Sequence, residues 1–200
     1  MFKDATFQRE ALVITLVSAM MEVFGQVFIC IPLCLGYFVY YNTPQLIVVI
    51  FSLSWQADNG GLFFGNFFGS RPFAKAISPN KTSEGIMGAI FLCSLSSFLM
   101  WVISHYISDM IFLKLYLEDY LALGFGISFL AVLSDLTESF FKRCANVKDS
   151  GELFPGHGGF FDRVDSSLMS VAFSTWYLKQ FMGYSMVAHY DIGPTKFNYF

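Results

Sequence analysis

The chain has 200 residues, of which 55% are hydrophobic and 14% are charged, and its formal net charge is −3. This composition excludes an ordinary soluble globule, and the slightly acidic balance argues against a nucleic-acid partner. Both features are typical of a polytopic membrane protein with membrane lipids as its surroundings. We therefore expect a single domain over residues 1–200, folded as an all-α bundle of about five transmembrane helices.

Five apolar stretches follow one another along the chain. The first runs from Ala11 to Tyr41 and exceeds the roughly 20 residues that a spanning helix needs, so we expect one span that is tilted, kinked near Pro32 or broken. The other four are predicted at about 45–64, 85–105, 120–136 and 166–187. The fourth is expected to continue as a helix toward Arg143. Glu22 interrupts the first stretch, where a functional role and a position near the membrane surface both fit.

The basic residues predict the orientation of these spans. With five spans and the N-terminus inside, segments 1–10, 65–85 and 137–165 face the cytoplasm and hold nine of the twelve Lys and Arg residues. This asymmetry follows the positive-inside rule. We therefore predict a multi-pass protein of the plasma or inner membrane, with a polar cleft between the loops at 58–85 and 135–165 that opens to the cytoplasm.

The first of these polar stretches, residues 58–85, reads DNGGLFFGNFFGSRPFAKAISPNKTSEG. Ser78-Pro79 is expected to stop regular structure, and Lys81 and Thr82 can meet phosphate oxygens. Glu84 is expected near the start of the next helix, where the helix dipole favours an acid. Taken alone, the ending SPNKTSEG fits a helix-capping turn equally well.

The second polar stretch, residues 139–165, reads SFFKRCANVKDSGELFPGHGGFFDRVD. It combines cationic side chains and carboxylates with glycines that let a backbone approach a ligand closely. Cations and backbone N–H groups hold phosphate oxygens, and carboxylates hold a hard cation such as Mg²⁺. The pattern therefore indicates metal-assisted phosphate chemistry at a membrane surface, although a solvated charged loop between two helices is the simpler alternative.

This stretch resembles the signature of the phosphatidate cytidylyltransferases, also called CDP-diacylglycerol synthases. The likeness is strongest at Lys142-Arg143, Lys148-Asp149, His157-Gly158-Gly159, Asp162-Arg163 and Asp165. The ending of the first polar stretch resembles a second block of the family, usually SPKKTWEG, and residues 133–139 resemble its GDLxES block. Overall the resemblance covers roughly residues 45–190. It implies a nucleotidyltransferase that converts CTP and phosphatidic acid to CDP-diacylglycerol and pyrophosphate, in phospholipid biosynthesis.

The resemblance also implies roles for individual residues. The metal ligands for Mg²⁺ are expected to be Asp135 and Asp162, with Asp165 and Asp58 as further candidates. Substrate binding is expected of Ser139, Lys81, Thr82, Gly158 and Gly159. The catalytic set, which neutralises or positions phosphates, is expected to be Lys142, Arg143, Lys148, Asp149, His157 and Arg163.

Several alternatives stay open at this point. His157 can instead fix a glycine turn, Ser139 can bond back to its own helix, and any one Asp can cap a helix or pair with an arginine. The chain can be a relative that uses CTP with another lipid, or an inactive membrane scaffold. It is shorter than the family members it resembles, and the resemblance leaves open assembly as a homodimer.

Overall fold

The computed structural model describes residues 2–75, 77–106, 111–147, 149–153 and 159–181, with side chains from residue 8 onward. Its elements, in chain order, are α1 (Phe2–Asn42), α2 (Pro44–Phe68), β1 (Pro72–Ala74), β2 (Ser78–Thr82), α3 (Ser83–Tyr106), α4 (Leu117–Cys144) and α5 (Phe161–Phe181). The expected all-α bundle is confirmed, with five helices and one short hairpin. Among the described residues, four helices are long and apolar enough to cross a membrane, in α1 (over Gln8–Asn42), α2, α3 and α4. The fifth expected span, 166–187, overlaps α5, and the described part of α5 is not among the candidate spans.

The first helix is continuous, with Pro32 inside it. Residues 11–41 therefore form one unbroken helix, as one span would require, and this helix is a candidate span by length and composition. Thr43 ends the helix and donates its backbone N–H to the carbonyl of Val39 at 2.7 Å. The next helix begins at Pro44, since a proline in the first turn has no N–H that a helix would need there.

The core of the bundle lies where α2, α3, α4 and α5 meet. Its fully buried side chains include Leu46, Ile50, Leu53, Leu123 and Ile127. Two glycines let α2 and α3 approach closely: a Cβ on Gly60 would lie 2.7 Å from the Gly88 carbonyl oxygen, and one on Gly88 would lie 2.2 Å from the Phe64 side chain. Such small residues at crossings are typical of membrane helices, because packing rather than hydrophobic burial holds them together.

The outer surface of the bundle is apolar. Large hydrophobic side chains with more than half of their surface exposed include Leu12, Met20, Tyr37, Phe91 and Phe129. An apolar exterior suits acyl chains rather than water. Together with the four long apolar helices, it supports a multi-pass membrane protein.

The two polar stretches are not loops throughout. Helix α2 continues through Asp58 to Phe68, slightly beyond the span predicted at 45–64, and α4 reaches Cys144, which confirms the predicted continuation toward Arg143. The expectation that Ser78-Pro79 stops regular structure is wrong: it begins β2, which pairs antiparallel with β1 through Pro72↔Thr82 and Ala74↔Ser78. Proline is acceptable there because this hairpin has only two strands, so each is an edge.

Candidate active site

Three carboxylates from two helices meet at one end of the bundle. Asp135 and Glu138 lie one turn apart on α4, and Asp165 lies in the second turn of α5; one ligand atom from each falls within 4.8 Å of the others. We call these three residues the acid group. Glu138 is 1% exposed and Asp165 is 8% exposed. Burying several carboxylates together is costly unless a cation compensates their charge.

Asp58 brings a fourth carboxylate beside the acid group. The hydroxyl of Ser166 donates to its Oδ2 at 2.8 Å, which joins α5 to α2. Asp58 also lies within electrostatic range of Asp135 and of Lys81. Because Asp58 lies on α2, a third helix contributes a carboxylate beside the acid group.

The acid group is only partly neutralised by the protein, through ion pairs of Lys81 with Asp135 and of Lys142 with Glu138. Asp165 Oδ1 accepts the backbone N–H of Ser166 at 2.8 Å. Oε2 of Glu138 contacts Lys142 Nζ, whereas its Oε1 accepts no hydrogen bond from the described residues. Closely spaced carboxylate oxygens with free lone pairs are what a hard divalent cation such as Mg²⁺ prefers, so the residues fit this ion.

A lysine and an arginine connect the two polar stretches at this end of the bundle. Lys81, at the end of β2, forms an ion pair with Asp135, and Arg143 Nε donates to the carbonyl of Ile77 at 3.4 Å. Both contacts hold the hairpin against α4. The structure therefore brings the stretch 58–85 and the stretch 135–165 together at one site.

Asp162 has a different environment from the acid group. Its Oδ1 accepts Lys142 Nζ at 2.8 Å, and its Oδ2 accepts the N–H and hydroxyl of Ser150 at 2.9 and 2.8 Å and the N–H of Gly159 at 2.7 Å. Burial acts to raise the pKa of this carboxyl, but the hydrogen bonds from Lys142, Gly159 and Ser150 outweigh it and hold that pKa well below its usual range. We call Asp162 with these three partners the Asp162 tie.

The remaining predicted residues have mixed placements. Ser139 donates to Asp135 Oδ1 at 3.4 Å, and the Thr82 hydroxyl oxygen accepts the Gly85 N–H at 3.1 Å, which caps the start of α3. Arg143, Asp149 and Arg163 are exposed near the site. The predicted residues outside the described part of the chain are Lys148, His157 and Gly158.

Sequence reasoning missed Glu138 and Ser150. Glu138 had an available signal, because Asp135 and Glu138 three residues apart share one face of a helix. Ser150 had none, since a serine after Asp149 reads as an ordinary turn residue. Its contacts with Asp162 depend on how α4 and α5 are joined in three dimensions.

Comparison with known proteins decides the family. The family model described as the cytidylyltransferase family matches residues 4–181. The chain belongs to the cytidylyltransferase family. This result confirms the resemblance read from residues 139–165.

Curated relatives within the family have related sequences over part of their length. The phosphatidate cytidylyltransferase of Haemophilus influenzae is 36% identical over 137 residues, which are 68% of this chain and 46% of the relative. Those of Staphylococcus epidermidis (strain RP62A) and Staphylococcus aureus (strain COL) are 38% and 37% identical over 138 residues, which are 66% of this chain and 50% of each relative. The chain thus spans about half the length of the curated relatives it matches.

Proposed function

We propose that this chain transfers the cytidylyl group of CTP to phosphatidic acid, giving CDP-diacylglycerol and pyrophosphate. The observation that carries the proposal is the acid group, which lies beside Lys81 and Lys142 at one end of an apolar bundle of this family. The curated relatives described above are named for this activity. A site with both carboxylates and lysines, at the end of membrane helices, suits a charged nucleotide and a lipid phosphate together.

The reaction is a displacement at phosphorus. An oxygen of the lipid phosphate attacks the α-phosphorus of CTP, a new P–O bond forms, and the bond to the β-phosphate oxygen breaks as pyrophosphate leaves. The attacking oxygen is already anionic near neutral pH, so the site needs no strong general base. Catalysis then depends on positioning and on neutralising the phosphate charges.

Asp135, Glu138 and Asp165 would hold Mg²⁺, with Asp58 next to them. When bound, the ion supplies positive charge for the triphosphate oxygens. Lys81 already contacts Asp135 and lies at the hairpin end, so it is placed to meet phosphate oxygens. Arg143 and Arg163 are exposed at the same end and can extend this positive surface. Roles for Lys148, Asp149, His157, Gly158 and Gly159 in binding phosphate remain predictions.

The orientation belongs to the same proposal. Segments 65–85 and 137–165 carry Arg71, Lys75, Lys81, Lys142 and Arg143 among their basic residues, and the structure brings both segments to one end of the bundle. The positive-inside rule favours the cytoplasm for that end, where CTP is available. We propose a plasma or inner membrane location with the site facing the cytoplasm, and assembly as a homodimer is compatible with it.

The decisive experiment measures transfer of label from CTP into a chloroform-soluble product by the purified protein in detergent. Phosphatidic acid and Mg²⁺ are each present or omitted. We expect product only when both are present. If product forms only with another lipid, such as an isoprenoid alcohol, that lipid rather than phosphatidic acid is the acceptor. Failure with every lipid tested would contradict the proposed activity.

A further inference from the structure

Ser150 is bound to Asp162 by two hydrogen bonds that no motif predicts. Its backbone N–H and its hydroxyl both donate to Oδ2, at 2.9 and 2.8 Å. The N–H of Gly159 donates to the same oxygen at 2.7 Å. One carboxylate oxygen therefore accepts three hydrogen bonds, from two residues that are nine positions apart in the sequence.

These two positions are also in van der Waals contact. A Cβ on Gly159 would lie 2.6 Å from the Ser150 hydroxyl oxygen and 2.8 Å from the backbone nitrogen of Gly151. Neither distance leaves room for a side chain, so glycine at 159 is required for this approach. The ends of the segment 150–159 are thus held together, and held to the first turn of α5.

Lys142 connects this arrangement to the acid group. Its Nζ lies 2.8 Å from Asp162 Oδ1 and forms a second ion pair with Glu138, and its side chain is 19% exposed. The result is a continuous path of polar contacts from Ser150 through Asp162 and Lys142 to Glu138. This path joins Ser150 to Glu138, a proposed metal ligand.

We infer that Ser150 is a positioning residue for the transfer reaction, which it serves by fixing Asp162 and hence Lys142 against the acid group. The inference rests on the proposed function. A hydrogen bond that orients a metal ligand typically changes activity by about 10- to 100-fold. The Ser150 hydroxyl supplies one of the four donors to Asp162, the Ser150 N–H survives any side-chain change, and Ser150 acts on Glu138 only through Asp162 and Lys142. We therefore expect the lower value.

The test compares Ser150→Ala with Ser150→Thr, using Thr137→Ala as the matched control. Thr137 lies on α4, and its hydroxyl donates to the Leu133 carbonyl of the same helix. For each purified variant, kcat and the KM for CTP are measured with phosphatidic acid and Mg²⁺. Hydrogen exchange is measured on peptides that contain the N–H groups of Ser150 and Gly159.

We expect Ser150→Ala to lower kcat by about 10-fold with little change in KM, and to speed exchange at both N–H groups. Ser150→Thr should restore both quantities, and Thr137→Ala should match the wild type. Wild-type kcat in Ser150→Ala would overturn the inference, as would a lowered kcat with unchanged exchange. If the wild-type protein makes no product, the proposed function is wrong. The exchange results would still show whether the Ser150 side chain protects the N–H groups of Ser150 and Gly159.

Discussion

Asp162 and Asp165 lie on the same helix, three residues apart, yet they lie in two different kinds of site. Asp162 accepts four hydrogen bonds from Lys142, Ser150 and Gly159. The side chain of Asp165 accepts one described hydrogen bond, from its neighbour Ser166, and faces Asp135 and Glu138. The Asp162 tie is thus satisfied by protein donors. The acid group has lysine partners at Asp135 and Glu138, but Lys142 is shared with Asp162 and Asp165 has no lysine partner among the described residues, so negative charge is left to be neutralised.

This difference shows how two acids of the same motif can be assigned to different roles. A carboxylate whose oxygens are filled by N–H and ammonium donors is well suited to hold backbone in place. A buried carboxylate with few donors, beside others of its kind, is suited to a cation. The motif DRVD favoured Asp162 over Asp165 as a metal ligand, and their surroundings in the structure favour the reverse.

The largest expected effect is at the acid group. Asp165→Asn should lower turnover by at least about 100-fold, because it removes a proposed metal ligand and the charge stabilisation that depends on it. The variant should remain folded in detergent, since it also relieves repulsion among buried carboxylates. Glu152→Gln, at an exposed acid outside the group, is the matched control. Activity within twofold of wild type in Asp165→Asn would remove Asp165 from the metal site.

A smaller loss is expected at the Asp162 tie. Asp162→Asn keeps the side-chain shape but weakens the hydrogen bonds from Ser150 and Gly159 and the ion pair with Lys142. We expect turnover to fall by about 10- to 100-fold. Limited proteolysis should cut within residues 149–160 faster than in the wild type. Unchanged proteolysis together with complete loss of activity would instead assign Asp162 directly to the chemistry.

A substitution at Lys142 tests, through the free energy of unfolding, whether the Asp162 tie and the acid group are linked. Lys142→Met leaves the carboxylate of Glu138, 1% exposed, without its cationic partner. Such an uncompensated buried charge costs about 3 kcal/mol in the free energy of unfolding. Adding Glu138→Gln should return most of this loss, which unfolding in mixed detergent can measure. Lys179→Met, at an exposed lysine near the other end of α5, serves as the control. If the double variant is no more stable than Lys142→Met, the pair does not link the regions.

The smallest effect is expected at Thr82. Thr82→Ala removes the hydroxyl that accepts the Gly85 N–H at the start of α3, at a cost of about 1 kcal/mol in stability. Thr82→Ser should keep the cap and the stability. Turnover of both variants is expected to stay within twofold of the wild type. A much larger loss of turnover in Thr82→Ala alone would show that the hydroxyl also binds substrate.

The helices and the family were predictable from the sequence, because both depend on local patterns. The apolar stretches are long, and Pro44 at a helix start follows from proline's missing N–H. The signature residues keep fixed spacing within one stretch. The span predicted at 45–64 already contains Asp58, but the role of Gly60 in close packing against α3 could not be read from the sequence.

The internal arrangement of the site was only partly predictable. The resemblance indicated Asp135 and Asp162 as the metal ligands, with Asp165 as a further candidate, whereas the structure groups Asp165 with Asp135 and Glu138. The contact between Glu138 and Asp165 requires α4 and α5 to pack side by side. The β1–β2 hairpin was missed because Ser78-Pro79 has low strand propensity. In the structure β2 pairs with β1, and contacts of Lys81 with Asp135 and of Ile77 with Arg143 hold the hairpin in place. Asp135 and Arg143 are distant from the hairpin in sequence.

The most direct test of the two-region account is cation binding, measured without turnover. Electron paramagnetic resonance of Mn²⁺, used in place of Mg²⁺, would give the affinity of the wild type, Asp165→Asn and Asp162→Asn in detergent. The account predicts that Asp165→Asn loses most of the binding while Asp162→Asn binds nearly as well as the wild type. If Mn²⁺ binding survives in Asp165→Asn but is lost in Asp162→Asn, the account is contradicted and Asp162 is the metal ligand.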